Sequence, residues 1–204
     1  MLAILIPWTH DRQRLFDRVV NQLHKQDTGG MVILDNVDQG YSAGGLSTGA
    51  KRNALIEEAI KLEVVTHIAF VDSDDLVGPN YVKHQMAAME GGYDCAELWG
   101  QYYENGKMLN PFHHSIVHDH WYQDKKCYYR NPNHLNCLSL AALQDIRFKD
   151  ITIGEDGHFS IDIQKSGRFK REYPVKEIIY YYFAGGRKDH NKEQQMALAR
   201  GVKL

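Results

Sequence analysis

Three short apolar runs constrain the fold most. Leu2-Ala3-Ile4-Leu5-Ile6 closes at Pro7, Met31-Val32-Ile33-Leu34 closes at Asp35, and Ile68-Ala69-Phe70-Val71 closes at Asp72. Continuous runs of this length, without polar alternation, mark strands buried on both faces. Helical spacings lie between them. Leu15, Val19, Val20 and Leu23 recur on one face of residues 11–26, residues 49–62 (GAKRNALIEEAIKL) are amphipathic, and Pro79 opens a third helix that runs to about Met89. Strands alternating with helices predict a doubly wound α/β arrangement. A chain of 204 residues supports one sizeable core and is short for two. The expectation is a single Rossmann-like domain with a mostly parallel central sheet flanked by helices.

The second half is less regular. Residues 93–103 suggest one or two strands, 105–134 are polar, aromatic and His-rich without a clean period, and 138–146 suggest a short helix. GEDGHFSIDIQKSG, residues 154–167, reads as a loop leading into a helix. A β-rich run at 177–183 precedes a polar tail of helical composition. The natural division is a nucleotide-binding half at 1–92, an acceptor and catalytic half at 93–190, and a tail at 191–204.

Formal net charge is −2, so no bulk positive field points to nucleic acid or an anionic membrane. Three cysteines without close pair spacing argue against a disulfide scaffold. The apolar N-terminal run is shorter than a signal-peptide core, and no stretch approaches the ~20 apolar residues that span a bilayer. The expected localisation is cytoplasmic, with peripheral membrane contact left open and no integral membrane segment.

The third strand ends in Asp72-Ser73-Asp74-Asp75. In open α/β sheets, ligands bind beyond the carboxyl ends of the strands. Carboxylates crowded on that rim raise each other's pKa unless a cation intervenes, and Mg²⁺ or Mn²⁺ suits oxygen ligands of this kind. The segment also suits a turn and helix cap. If it stays extended, Asp72 and Asp74 share a face.

VDSDDLVGPNYV resembles the Asp-x-Asp segment of GT-A glycosyltransferases, in particular the family-2-like enzymes. Four other pieces resemble that family in the same order. Ile4-Leu5-Ile6-Pro7-Trp8-Thr9-His10-Asp11-Arg12 is similar to the opening strand and turn, although Trp8 and His10-Asp11 depart from the commonest form. Val32-Ile33-Leu34-Asp35 is similar to the second strand. Gly49-Ala50-Lys51-Arg52-Asn53-Ala54 is similar to the helix start beside the nucleotide, and Ile153-Gly154-Glu155-Asp156-Gly157-His158-Phe159 to the later Glu-Asp segment.

The resemblance implies a metal-dependent, inverting transferase that moves a sugar from a nucleoside diphosphate, with a UDP-sugar favoured, to an acceptor hydroxyl. It implies Asp156 as general base with Glu155 orienting it or the acceptor. The donor would be held by Pro7, Thr9, Arg12, Asp35 (on the base), Gly49, Arg52, Asn53, Asp72, Ser73 and Arg187. The cation, Mn²⁺ or Mg²⁺, would be bound by Asp72 and Asp74 with a late histidine, His190. The implied partners are a nucleotide sugar and an acceptor that is a saccharide, a lipid-linked sugar, a protein or a modified nucleic-acid base. Glycines 185 and 186 fit a closing loop.

Other readings remain at this stage. Asp35 also reads as a strand-end cap, Lys51 and Arg52 as solvated helix residues, GEDG as a turn, and His190 as a surface residue. His113, His114, His118, His120 and His134 raise a zinc or iron site, but match no standard ligand spacing. Trp121, Tyr122, Tyr128 and Tyr129, interleaved with Lys125, Lys126 and Arg130, suit an acceptor wall or a solvated insert. The competing functions are a nucleotidyltransferase-like metal and nucleotide enzyme, or a non-catalytic nucleotide-sugar-binding module. The first usually carries a Gly-rich loop after its first strand, and Pro7–Arg12 holds no glycine.

Overall fold

The computed structural model describes residues 1–27, 29–36 and 45–184. The three apolar runs are strands β1 (Leu2–Ile6), β2 (Met31–Asp35) and β3 (His67–Phe70). β1 lies between β2 and β3, parallel to both, with Leu2 opposite Met31 and His67. A short β4 (Leu76–Val77) follows. The second half adds β5 (Cys95–Ala96), β10 (Leu138–Ser139) and β11 (Glu172–Tyr173), giving the order β11-β5-β10-β3-β1-β2. β10 is antiparallel to both β3 and β5, while β11 is parallel to β5. The central sheet is thus mostly parallel, with β10 the one reversed strand.

Helices cover both faces. α1 (Gln13–Gln26), preceded by a 3-10 turn at His10–Arg12, and α3 (Tyr81–Glu90) pack on one face, and α2 (Thr48–Lys61), α4 (Leu140–Leu143) and α5 (Glu155–Ser166) on the other. Strand alternation divides the core accordingly. Leu2, Ile4 and Ile6 meet Val19 and Leu23, whereas Ala3 and Leu5 meet Leu55, Ile56 and Phe159. Burial on both faces explains why β1 carries no polar residue.

A second six-stranded sheet has the order β4-β12-β6-β7-β9-β8. It uses β6 (Leu98–Glu104), β7 (Lys107–His114), β8 (Tyr122–Gln123), β9 (Tyr128–Arg130) and β12 (Tyr180–Ala184). This sheet lies within the region read as aperiodic. Asn105 (φ 49°) and Gly106 (φ 72°) make the two-residue turn between β6 and β7. β12 crosses back to pair with β4 directly after the aspartate cluster and with β6. That pairing brings the chain's late tyrosines to the rim of the first sheet.

All three cysteines are buried free thiols. Among the described residues no helix is long and apolar enough to cross a membrane.

Candidate active site

The rim beyond β1 and β3 opens into a cleft of about 480 Å³. Pro7, Thr9 and Arg12 from the turn after β1 line one side, Lys51 and Arg52 from α2 another, and Asp72 and Asp74 the floor. Glu155 and Asp156, at the start of α5, close the far wall. Segments far apart in sequence therefore converge where a doubly wound sheet binds ligands.

Arg52 organises the floor. It is only 4% exposed, held by the helix that Ser47 caps through the Ala50 N–H. Its Nη2 donates to both Asp72 oxygens, at 2.8 and 3.0 Å, and its Nη1 donates to Glu155 Oε1 at 2.7 Å. Burial opposes the charge on Asp72, but Arg52 and then His134 outweigh it and hold its carboxyl well below the usual range. Glu155 goes the other way: burial dominates over Arg52 and raises its pKa. Burial also works against the Arg52 charge, yet Asp72 and Glu155 together raise its pKa.

The aspartate segment is a turn, not an extended strand end. The Asp75 N–H donates to the Asp72 carbonyl at 3.0 Å, which corrects the expectation that Asp72 and Asp74 share a face of an extended segment. Asp74 pairs with Arg12 at 2.8 Å. Asp75 is 1% exposed and accepts from Tyr180 Oη at 2.8 Å and from the Phe183 N–H at 2.9 Å. Burial, then the charges of Asp74 and Asp72, push the Asp75 pKa well up. Tyr180 Oη in turn accepts from the Asp72 N–H at 3.1 Å, so one buried phenol ties β12 to both ends of the turn.

Several expected ligand contacts are redirected. Asp72 was expected to bind metal, but both of its oxygens face Arg52. The Asn53 amide is committed to the Phe148 backbone, donating to its carbonyl at 2.9 Å and accepting from its N–H at 2.8 Å. Gly49 faces the 149–151 segment; a Cβ there would stand 1.9 Å from the Lys149 carbonyl oxygen. Ser73 is buried, with its hydroxyl unpartnered, outside the cleft lining. Asp35 accepts from the Trp8 indole N–H at 3.0 Å, and the Trp8 ring stacks on Phe16 at 4.4 Å. The atypical Trp8 of the opening turn thus holds the strand-end aspartate. Arg187 and His190 lie outside the described residues.

His134 enters the site although the sequence reading placed it only in the His-rich segment. It is 4% exposed, lines the cleft, and its Nε2 lies 3.5 Å from Asp72 Oδ2. Burial, then Arg52, lowers its pKa, which keeps the ring neutral at physiological pH. The Phe70 N–H donates to the His134 carbonyl at 3.0 Å, which fixes this loop at the end of β3.

In the His-rich segment the rings meet one another and their aromatic neighbours. His113 and His118 join ring to ring at 3.0 Å, Tyr122 Oη reaches His118 Nδ1 at 3.1 Å, and His113 stacks on Trp99 at 4.1 Å. Among the described residues, no group of three His, Cys, Asp or Glu side chains is arranged to hold a metal ion. A hard cation on a diphosphate needs only one or two protein carboxylates, and of the two aspartates after β3 that line the cleft, Asp74 pairs with Arg12 and not with Arg52.

Beyond Asp156 a second cavity of about 310 Å³ opens against the second sheet. His134, Asp156 and Tyr182 line both cavities and form the wall between them.

No known family profile matches the sequence. No curated protein matches it either. Solved structures do match. S. aureus TarS 1–349 in complex with UDP-GlcNAc aligns at a TM-score of 0.65 and 17% identity, over 93% of this chain and 60% of that one. A second structure of TarS 1–349 gives 0.63 and 17% over 100% and 66%. A197 from STIV gives 0.53 and 17% over 90% and 86%. The chain spans about 60% of the TarS 1–349 chain in the first of these alignments. TarS is a GT-A-type glycosyltransferase, and the fold of this chain is the GT-A glycosyltransferase fold.

Proposed function

We propose that the protein is a glycosyltransferase that takes a sugar from a nucleoside diphosphate, a UDP-sugar, and passes it to an acceptor hydroxyl with inversion. The observation that carries this is the paired cavities with Asp156 in their common wall. The TarS complexes with UDP-GlcNAc and UDP support the choice of donor.

The donor diphosphate would lie over Arg12, which pairs with Asp74, and Lys51, both of which line the cleft. Negative charge grows on the diphosphate as the glycosidic bond breaks, and fixed cations lower the barrier by stabilising it there. Asp74 would hold Mn²⁺ or Mg²⁺, which when bound supplies Lewis-acid stabilisation of the same oxygens. Asp35 would accept from the uracil base. Arg52 positions rather than reacts: it fixes Asp72 and Glu155, and Glu155 is the residue next to the base.

Asp156 removes the proton from the acceptor hydroxyl as its oxygen attacks the anomeric carbon from the side opposite the diphosphate. Its carboxylate is half-buried, accepts a local bond from the Gly157 N–H at 2.8 Å, and belongs to a residue that lines both cavities.

The test is UDP release from UDP-GlcNAc in the presence of an acceptor panel. Asp156→Asn should lose transfer by orders of magnitude while UDP affinity is kept, as for a group acting in the transition state. Parallel loss of UDP binding would remove Asp156 from the base role.

A further inference from the structure

The cavity beyond Asp156 has a wall that specifies more than a hydroxyl. At about 310 Å³ it has room for one ring-sized unit. Tyr102, Tyr128 and Tyr182 supply aromatic surface, with Tyr102 stacked on Tyr182 at 5.3 Å.

Two polar groups mark this wall, a half-buried Arg130 and a buried His114. The Arg130 guanidinium lies 4.2 Å from the Trp121 ring centroid and makes no ion pair among the described residues. His114 is 1% exposed, and its ring nitrogens make no well-formed hydrogen bond, with the Asn136 side chain the neighbouring polar group. Burial, then the Arg130 charge, holds His114 well below the ordinary histidine value, so the ring is neutral and offers one donor and one acceptor. Buried polar atoms without partners cost stability unless a ligand satisfies them. Glu104, which also lines the cavity, is exposed, accepts a hydrogen bond from the Tyr102 phenol and makes no ion pair with Arg130.

Resting on the glycosyltransferase reading, we propose that this cavity is the acceptor subsite and that the acceptor is a hydroxylated, ring-sized unit carrying an oxyanion. Arg130 takes the oxyanion, His114 adds a neutral hydrogen bond, the tyrosines pack the ring face, and the reacting hydroxyl meets Asp156. A guanidinium fork matches phosphate and carboxylate geometry, and its bonds to them are charge-assisted.

The experiment titrates glucose, glucose 6-phosphate and glucuronate into the full-length chain, with saturating UDP and without UDP. At least one of the charged sugars should bind on the order of tenfold tighter than glucose, and their order distinguishes phosphate from carboxylate. Arg130→Gln should erase that preference, and Arg130→Lys should restore part of it, with melting curves confirming that both variants fold. Equal binding of all three sugars, no binding of any, or a preference that persists in Arg130→Gln would overturn the proposal. Failure of UDP to bind overturns the donor reading alone, because the Arg130 dependence is also read without UDP.

Discussion

Arg52 Nη2 donates to both carboxylate oxygens of Asp72, at 2.8 and 3.0 Å, in a site where Arg52 is 4% exposed. Geometry of this kind fixes the strand-end aspartate before any ligand arrives. A buried pair contributes little net stability over an apolar replacement, but removing one partner leaves the other charge buried and unpaired. Arg52→Ala strands both Asp72 and Glu155 and should cost about 3–5 kcal/mol. Thermal and urea unfolding measure it. A loss below about 1 kcal/mol would place the pair among surface-like ion pairs.

Tyr180 should link stability to donor binding. Its hydroxyl accepts from the Asp72 N–H and donates to Asp75. Tyr180→Phe removes both bonds, leaving Asp75 buried with its Phe183 partner. The expected cost is about 1–3 kcal/mol, with weaker UDP binding because the 72–75 turn loosens. UDP affinity that stays the same despite reduced stability would separate the turn from the donor site.

Gly49→Ala sets two effects against each other. Alanine favours the helix by about 1 kcal/mol. The added Cβ meets the Lys149 carbonyl oxygen at 1.9 Å, and backbone must move to admit it. Overpacking of this kind costs about 1–3 kcal/mol, so the substitution should destabilise despite the better propensity. Because α2 carries Arg52, activity should fall too. A stabilised variant would show that the 149–151 segment yields freely.

Acid should unfold the protein in a window set by buried histidines. Burial, then the neighbouring His118, pushes His113 down to about 4, and burial lowers His114 and His134 as well. These rings are neutral when folded and bind protons near pH 6.5 when unfolded. The unfolded state therefore holds more protons below that value, and stability falls as pH drops from about 6.5 towards 4. Asp72, with its pKa lowered, adds a further loss starting near pH 4 and continuing below it. Melting temperature against pH tests this, and His113→Gln should flatten the upper window. A flat profile between pH 7 and 4.5 would contradict it.

The central sheet was legible because β1, β2 and β3 are continuous runs; β1 and β3 are buried as expected, whereas β2, at the end of the strand order, is only half-buried despite the same apolar pattern. The second sheet was missed for local reasons. Pro111 interrupts β7, the pairing of β6 with β7 shifts register between Gln101 and Tyr103, and β8 holds only two residues. One signal was there to find: Asn105-Gly106 is a strong hairpin turn, flanked by the two longest strands of that sheet. At the site, strand ends and a helix start pointed to Arg52, Asp72 and Asp74. That Asn53 turns to Phe148, and that His134 comes beside Asp72, depends on contacts across about 95 and 62 residues, which no local pattern encodes. Tyr180 is likewise buried by tertiary pairing alone.

The most direct measurement is calorimetric titration of UDP into the full chain, with and without Mn²⁺, against GDP, CMP and ATP. Binding of UDP at about micromolar affinity, strengthened by Mn²⁺ in the wild type and not in Asp74→Ala, is the predicted result. No UDP binding under either condition, or equal binding of all four nucleotides, would contradict a UDP-sugar donor in the cleft over Arg12, Arg52 and Asp74.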